Sequence, residues 1–337
     1  MGNLSTGQEL IVTRTPLRIS FAGGGTDLPE FYKREYGAVL SSAIDKYVYV
    51  TVKRHSHFFN ENYRVNYSDT EHTDTLDEIK NAIARECLRL VRTEPPIYVS
   101  TVADVPALSG LGSSSSFAVG FLNALHVLNG ERASAAQLAE EAAYIEIEVL
   151  KRPIGKQDHY AAAFGGLNYF RFLADGRVTI EPHALGAEQS DLLFKHIMMF
   201  WTGNWRDSSS VLTEQNRNTD SNVERLLAMR QHAGELQNLI LNGLDPEEFG
   251  RILDASWRLK RELASNITND EIDRWYSLAL KAGAFGGKLS GAGGGGFLLY
   301  IAPPERQPEI RRALTELSEL SVKAEPQGSR VLMSHVE

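Results

Sequence analysis

Residues 104–116 read Asp-Val-Pro-Ala-Leu-Ser-Gly-Leu-Gly-Ser-Ser-Ser-Ser and join two strongly patterned stretches of the chain. Residues 97–102 before them are β-branched and alternating, which predicts a strand, whereas the apolar-rich residues 117–128 predict a helix. Gly110 and Gly112 can turn the backbone through positive φ and bring it close to a ligand. The N–H groups that follow then lie at the positive end of the helix dipole, where anions bind. The stretch therefore predicts a phosphate-binding loop.

A flexible Gly/Ser linker and an ordinary helix cap are the alternative interpretations of this stretch. Both are disfavoured because the stretch is short, is flanked by strand and helix patterns, and carries the apolar Leu111 between two glycines. No Gly-Lys-Ser/Thr follows, so it is not a Walker loop, and its glycine spacing differs from the dinucleotide-binding fingerprint. The four hydroxyls of residues 113–116 add donors for phosphate oxygens and a candidate ligand for Mg²⁺.

Composition limits the class of protein. The chain has 337 residues, enough for two domains, and 42% hydrophobic with 23% charged residues indicates a soluble globular protein. No apolar run approaches the length of a membrane span. The net charge of −8 argues against nucleic-acid and anionic-membrane partners, because those need a basic surface. Cys87 is the only cysteine, and no hydrophobic signal opens the chain, so we expect a reducing cytoplasm.

Residues 104–116, which we call the serine loop, resemble the second motif of the GHMP kinases. This superfamily contains galactokinase, homoserine kinase, mevalonate kinase and phosphomevalonate kinase. That motif has the form Pro-x-x-x-Gly-Leu-Gly-Ser-Ser, and the matching residues are Pro106, Gly110, Leu111, Gly112, Ser113 and Ser114. The resemblance implies that these residues, together with Ser115 and Ser116, bind the nucleotide.

A triple glycine near the start resembles the first motif of the same superfamily. By itself, Gly23-Gly-Gly-Thr-Asp27 reads as a glycine turn whose aspartate caps a helix. In the superfamily signature Gly-Glu-His-Thr-Asp, however, Gly24 and Gly25 replace the Glu and His that contact the sugar in galactokinase-like members, which argues against galactose. The surrounding form, with Arg18 as its basic residue, resembles the D-glycero-D-manno-heptose 7-phosphate kinase branch and, more distantly, fucokinase. The resemblance implies substrate-binding roles for Gly24, Gly25, Thr26 and Asp27.

An acidic pair is the candidate for proton transfer and metal binding. Asp158 lies among small and apolar residues after the predicted helix 134–150, where it either caps a short helix or acts as a base. The superfamily places its catalytic aspartate in such a segment, ten to twelve residues after a Mg²⁺-binding glutamate. The resemblance thus implies Asp158 as the base and Glu148 as the Mg²⁺ ligand with Ser114, with Glu146 as the alternative to Glu148.

The second half of the chain contains two further candidate loops. Residues 286–301 carry Lys288, Ser290, Gly291, Ala292, Gly293 and Gly294, which resemble the third GHMP motif, Lys-x-Ser/Thr-Gly-Ala-Gly-Gly-Gly. This implies that Gly291 and Gly293 close over the nucleotide phosphates, although a plain glycine loop is the alternative. Arg206, followed by Asp207 and three serines, is a candidate for holding a second phosphate or a sugar, and a polar connection is an equally good interpretation.

The expected fold follows from these motifs and from the hydrophobic pattern. The polar residues 182–192 predict a boundary between a nucleotide-binding domain, residues 1–190, and a second domain, residues 191–337. Apolar periodicity predicts a helix over residues 74–91, and the second half contains three further helical segments. The resemblance implies an α+β protein with a ribosomal protein S5 domain 2-like first domain and a ferredoxin-like second domain.

The implied activity is transfer of the γ-phosphoryl group of ATP, with Mg²⁺, to the C1 hydroxyl of D-glycero-D-manno-heptose 7-phosphate, for nucleotide-activated heptose and surface polysaccharide. Asp158 deprotonates the hydroxyl and Arg18 stabilises the transferring group. The basic candidates for the distal phosphate are Arg14, Lys46, Lys53 and Arg206. The alternatives are a fucokinase-like enzyme, a decarboxylase of the same fold and a catalytically inactive sugar sensor. The apolar surface of the second half makes a homodimer plausible.

Overall fold

The computed structural model describes residues 9–56, 58–203 and 208–335. The strands are β1 Leu10–Ala22, β2 Gly37–Arg54, β3 Tyr63–Asn66, β4 Thr70–Thr73, β5 Ile97–Ala103, β6 Leu167–Phe172, β7 Val178–His183, β8 Ile197–Trp201, β9 Gly286–Leu289, β10 Phe297–Ile301, β11 Ser318–Leu320 and β12 Arg330–His335. The α-helices are α1 Pro29–Tyr32, α2 Ala82–Val91, α3 Ser113–Leu128, α4 Ala135–Ala143, α5 Gln157–Phe164, α6 Ala187–Lys195, α7 Ser208–Arg217, α8 Val223–Asn242, α9 Pro246–Arg261, α10 Asp270–Lys281 and α11 Gln307–Ala313. Short 3₁₀ turns occupy Leu76–Glu78 and Asp220–Asn222, and a π-helical turn occupies Tyr144–Val149.

The first sheet is built on the long antiparallel pair β1 and β2. Its order is β12-β1-β2-β5-β3-β4, and β6 pairs with β2 beside β5 and carries β7 on its other side. The 18 residues of β2 reach far enough to pair with β5 through one half and with β6 through the other. β3 runs parallel to β5, whereas the other pairs are antiparallel. Helix α3, nearly all of which is buried, packs on β1 and β2.

The second sheet has the order β11-β8-β10-β9 and is antiparallel. Its central strand β10, Phe-Leu-Leu-Tyr-Ile, is buried along its whole length. Helix α9 packs on β9 and β10, and it also contacts α8. The apolar core continues from the first sheet into this half through side chains such as Met199, Phe249 and Leu299. The cleft between the halves is therefore backed by continuous packing.

Two sequence predictions need correction. The boundary near residue 190 separates the two sheets, but the predicted second domain, residues 191–337, includes β12, which pairs with β1 of the first sheet. The predicted helix 74–91 begins only at Ala82, because Asn81 caps α2 with its side chain and residues before it form a 3₁₀ turn. Within the described ranges, every helix is too short or too polar to span a membrane.

Candidate active site

A cleft between the two halves collects most of the predicted residues. Its first wall comes from β1, the loop after it, the serine loop and the start of α5, and its lining residues include Arg18, Gly24, Asp27, Gly110, Gly112, Ser113, Ser114, Ser115 and Asp158. Its second wall comes from α7, α9 and the glycine loop between β9 and β10, with Leu212, Lys260, Ser290, Gly291, Ala292 and Gly293. The three sequence motifs, distant along the chain, meet in this cleft.

The serine loop ends in the start of α3, as its glycines predict. Gly112 precedes the helix with φ 80° and ψ 25°. The first N–H groups of α3 have no partner within the helix, and the residues that carry them line the cleft. Ser116 does not share this role: its N–H donates to Gly112 O (2.9 Å), and its hydroxyl donates to Pro16 O (2.8 Å). We therefore exclude Ser116 from the predicted nucleotide-binding residues.

Two other predicted members of the serine loop lie away from the cleft. Leu111 is fully buried in the core, and its carbonyl accepts from the N–H of Arg18 at 3.1 Å, so it fixes the loop to β1. Pro106 is exposed and is not among the residues that line the cleft. Both residues shape the loop rather than face a ligand.

The serine loop and the glycine loop touch through their backbones. A Cβ on Gly110 would lie 2.6 Å from Ser290 O, and one on Gly291 would lie 2.6 Å from the Cα of Gly110. Both glycines have positive φ, 81° and 79°. Because a side chain at either position would collide with backbone, only glycine permits this contact between the two walls.

Arg18 and Asp158 form the charged centre of the first wall. Leu17 and Ile19 point into the core, and alternation along β1 therefore turns Arg18 toward the cleft. Its Nε and one terminal nitrogen donate to the two carboxylate oxygens of Asp158, each at 2.7 Å, and its other terminal nitrogen donates to Gly110 O at 2.7 Å. Asp158 lies in the first turn of α5. The fork geometry fixes both side chains.

Glu146, rather than Glu148, is the carboxylate beside the serine loop. Its side chain is fully buried and accepts hydrogen bonds from Ser115 Oγ (3.0 Å) and Arg152 (2.7 Å), with Nε2 of His159 at 3.0 Å. Burial alone would raise its pKa, but His159, Arg152 and Ser115 outweigh it and hold the pKa of Glu146 below its usual value.

The structure places the predicted Mg²⁺ ligand Glu148 on the surface, in a segment that does not keep α-helical geometry. A π-helical turn over Tyr144–Val149 changes which residues face inward. The Glu148 side chain is 59% exposed and pairs with Lys151 at 3.4 Å. Its side chain is therefore directed to solvent, whereas that of Glu146, the alternative, bonds to the serine loop through Ser115.

The triple-glycine loop is held by Asp27 and Thr26. Asp27 accepts from the N–H of Gly25 (2.9 Å) and from Nε2 of Gln157 (3.0 Å); burial raises its pKa, and the charge of Asp158 adds to this rise. The Thr26 hydroxyl is fully buried and bonds to backbone groups of Gly23 and Ala38, so the structure keeps this predicted substrate contact away from the cleft.

The two glycines of this loop differ in their surroundings. Gly24 lines the cleft, and a Cβ there would lie 3.5 Å from Gln157 Nε2 and 3.9 Å from Lys260 Nζ. Gly25 is covered instead, because a Cβ there would collide with the side-chain amide of Gln215. Of these two predicted substrate-binding positions, Gly24 therefore faces the open cleft, whereas Gly25 makes room for Gln215.

The sequence motifs include neither Lys260 of the second wall nor Gln215, which lies against Gly25. Lys260 is 6% exposed, and its ammonium donates to Gly291 O at 2.6 Å. Gln215 is 2% exposed, and both atoms of its side-chain amide lack a partner among the described residues. Lys260 could have been found from the pattern of α9, since it continues the buried stripe of Phe249, Leu253 and Trp257.

The basic residues named for a distal phosphate lie elsewhere. Arg14 contacts the Tyr47 ring and Glu325, and Lys46 bonds to its neighbour Asp45. Neither of them nor Lys53, all in the described part of the chain, lines the cleft. Arg206 lies outside the described residues.

The residues beside the serine loop fit a Mg²⁺ ion that is also bound by a nucleotide. Glu146 is ionised at neutral pH and lies beside serine hydroxyls, and hard oxygen atoms are the ligands Mg²⁺ prefers. No three His, Cys, Asp or Glu side chains converge on a metal position within the described ranges. The protein would therefore supply few ligands, and phosphate oxygens would have to supply others.

Comparison with known proteins agrees with this arrangement. The family model of the GHMP kinases N terminal domain matches residues 77–166, and that of the GHMP kinases C terminal matches residues 233–319. The D-glycero-alpha-D-manno-heptose 7-phosphate kinase of Campylobacter jejuni is 30% identical over 317 residues, which span 91% of this chain and 93% of that protein. The L-fucokinase/L-fucose-1-P guanylyltransferase of Bacteroides fragilis is 26% identical over 91% of this chain and 36% of its own length.

A solved structure gives the same result. The crystal structure of a D-glycero-D-manno-heptose 1-phosphate kinase from Bacteroides thetaiotaomicron has a TM-score of 0.79 and 26% identity, covering 96% of this chain and 99% of that one. The resemblance stated from the motifs and the two-domain GHMP kinase fold are thereby confirmed. The chain belongs to the GHMP kinases, and it is an ATP-dependent phosphotransferase that acts on a sugar.

Proposed function

We propose that this chain phosphorylates the anomeric C1 hydroxyl of D-glycero-D-manno-heptose 7-phosphate and forms the 1,7-bisphosphate. The product would serve the synthesis of nucleotide-activated heptose for surface polysaccharide. The similarity to the Campylobacter jejuni heptose 7-phosphate kinase over nearly the whole of both chains supports this substrate. The observation that carries the mechanism is the position of the Arg18–Asp158 pair between the serine loop and the triple-glycine loop.

The serine loop is the proposed binding site for the nucleotide phosphates. Its free N–H groups and the hydroxyls of Ser113 and Ser114 face the cleft at the positive end of α3. Gly291 and Gly293 cover this position from the second wall. Since the nucleotide phosphates occupy this end, the acceptor sugar would enter from the side of Gly24 and Asp27.

Asp158 is the proposed base for the acceptor hydroxyl. A carboxylate oxygen has two lone pairs, so the oxygens that accept from Arg18 can still accept a hydrogen bond from a sugar hydroxyl. The Asp158 side chain is 25% exposed, toward the cleft, so a hydroxyl can approach it. Arg18 would hold the carboxylate in position and stabilise negative charge on the transferring group.

Glu146, with Ser114 and Ser115, is the proposed protein contribution to a Mg²⁺ site. A Mg²⁺ ion held there with ATP would offset the negative charge of the phosphate groups. His159 and Arg152 would keep Glu146 ionised and oriented, because both bond to it from behind.

The substrate is tested by measuring ADP release from purified protein with Mg²⁺-ATP. The names of the two heptose kinase relatives differ in the phosphate that the acceptor already carries, so the panel needs both heptose 7-phosphate and heptose 1-phosphate. Unphosphorylated heptose, L-fucose, mannose and galactose complete it, with fucose included because of the fucokinase relative. We expect the highest kcat/KM with heptose 7-phosphate, by about a hundredfold or more over sugars that lack the phosphate.

Phosphorus NMR of the product tests the position of transfer. Coupling of the new phosphate to the anomeric proton is the expected result. A preference for fucose or for heptose 1-phosphate would contradict the proposed substrate while leaving the kinase activity intact. Absence of turnover with every sugar would favour an inactive sensor.

A further inference from the structure

Lys260 is an unusual residue for its place in the fold. Helix α9 buries Phe249, Leu253 and Trp257 in the apolar core, and Lys260 lies on the same face. Lysine is rarely buried to this extent without a partner, because removing an ammonium group from water is costly. A lysine kept at 6% exposure at the wall of a cleft therefore calls for a ligand or a compensating charge.

The described residues give Lys260 little compensation. Its ammonium has three donors, and Gly291 O is the one acceptor that bonds to it within the described ranges. The other cation of the cleft, Arg18, is neutralised by a two-point contact with Asp158. Lys260 therefore remains the cation of this cleft that has no carboxylate in direct contact, as far as the described chain shows.

The charges around Lys260 are mixed. The negative charges of Asp27 and Asp158 favour the protonated form of Lys260. The positive charges of Arg18 on β1 and Lys288 on β9 disfavour it. Burial is the largest effect, and it lowers the pKa of Lys260 to about 8. The Lys260 amine is therefore mostly protonated at neutral pH, and a bound anion would stabilise this charged form.

The position of Lys260 indicates which ligand this is. Its Nζ bonds to the glycine loop at Gly291 and lies 3.9 Å from the Cβ position of Gly24, on the side proposed for the acceptor. It therefore lies where nucleotide and acceptor meet. We propose that Lys260 binds a phosphate oxygen at this junction, an inference that rests on the proposed kinase function.

The phosphate oxygen bound by Lys260 could belong to either of two groups. One is the γ-phosphoryl group of ATP, and the other is the phosphate that the acceptor sugar already carries. The substitution Lys260→Met removes the positive charge but keeps a side chain of similar length, whereas Lys260→Arg keeps the positive charge. Steady-state kinetics with heptose 7-phosphate and with unphosphorylated heptose separate the sources. Loss of a hydrogen bond to a charged group costs about 10- to 100-fold.

If the acceptor phosphate is the ligand, Lys260→Met raises KM for heptose 7-phosphate by that factor and leaves KM for heptose unchanged. If the γ-phosphoryl group is the ligand, kcat falls by that factor with both acceptors. Lys260→Arg should restore part of the loss. In either case, kcat/KM of the wild type should fall as pH rises through about 8, and Lys260→Arg should remove this decline.

The controls address folding and the case of an inactive protein. Lys281→Met removes an exposed lysine from the last turn of α10 and should change nothing. Thermal melting shows whether each variant is folded. Calorimetric titration with a non-hydrolysable ATP analogue and with inorganic phosphate needs no turnover, and wild type should bind at least one of them more tightly than Lys260→Met. A folded Lys260→Met with wild-type kinetics, or with wild-type binding of both probes if no sugar reacts, would overturn the inference.

Discussion

The two walls of the cleft differ in how fully their polar groups are paired. On the first wall, Arg18 and Asp158 satisfy each other, and Glu146 beside the serine loop is held by Ser115, Arg152 and His159. On the second wall, Lys260 bonds to a single carbonyl, and the hydroxyl of Ser290 has no partner in the described part of the chain. The difference indicates that the first wall is organised before the substrates arrive, whereas the second is completed by them.

This contrast has an energetic basis. A buried polar group without a partner costs about 1–3 kcal/mol, and a ligand that supplies the partner recovers that cost on binding. Preorganised charges act without rearrangement when negative charge develops in the transition state. Mutations of Arg18 and Asp158 in the first wall should therefore reduce kcat most, whereas mutations in the second wall should have smaller effects.

The largest expected effect comes from Asp158→Asn on the first wall. We expect kcat to fall about 10²- to 10⁴-fold, because the amide cannot accept the proton of the sugar hydroxyl. Binding of ATP, measured by calorimetry, should be retained. Asp175→Asn, at an exposed turn between β6 and β7, is the control. Turnover near that of the wild type in Asp158→Asn would contradict the role of Asp158 as base.

A smaller effect is expected from Glu146→Gln, which removes the charge and keeps the shape. The Mg²⁺ concentration that gives half-maximal rate should rise on the order of ten- to a hundredfold. The melting temperature should also fall, because Arg152 and His159 lose their partner. Glu148→Gln is the matched control, since its exposed side chain pairs only with Lys151 among the described residues. An equal Mg²⁺ requirement in both variants would exclude Glu146 from the metal site.

The smallest of these effects concerns the contact between the walls. Gly291→Ala should lower the free energy of unfolding by about 1–3 kcal/mol and raise KM for ATP, because its Cβ would collide with Gly110. Gly130→Ala has the same φ of 79° but no atom within 4 Å of the Cβ position, so it should cost only about 1 kcal/mol. Equal losses in the two variants would show that backbone strain, rather than the contact between the loops, is what matters.

The first wall could be predicted from the sequence to a much greater extent than the second. The serine loop, Arg18 and Asp158 lie in short motifs whose spacing is fixed by local turns, and the structure brings them together. Lys260 belongs to an ordinary amphipathic helix and reaches the cleft only through the packing of the two halves. No feature of the neighbouring sequence marks Gln215, which lies against Gly25. The buried stripe of α9, by contrast, does place Lys260 on the inward face of its helix.

The exposed position of Glu148 has a different cause. The family spacing of ten to twelve residues before Asp158 admits both Glu148 and Glu146, and the π-helical turn that decides which of them is buried has no clear signature in a single sequence. The extra residue in that turn is enough to exchange a buried carboxylate for an exposed one. A similar limit applies to β12, because a strand pattern at residues 330–334 does not reveal which of the two sheets it joins.

The pairing of β12 with β1 also has a consequence for biosynthesis. β1 is translated before the second sheet, and β12 is translated only after the whole of it. Until then one edge of β1 is open to other strands, a known route to aggregation. Ser329, just before β12, bonds to Thr15 of β1 and to Asn123 of α3, so release of this segment also fixes the sheet to its helix. The nascent first half thus depends on late-translated residues to close its sheet, and a stalled ribosome would expose an incomplete one.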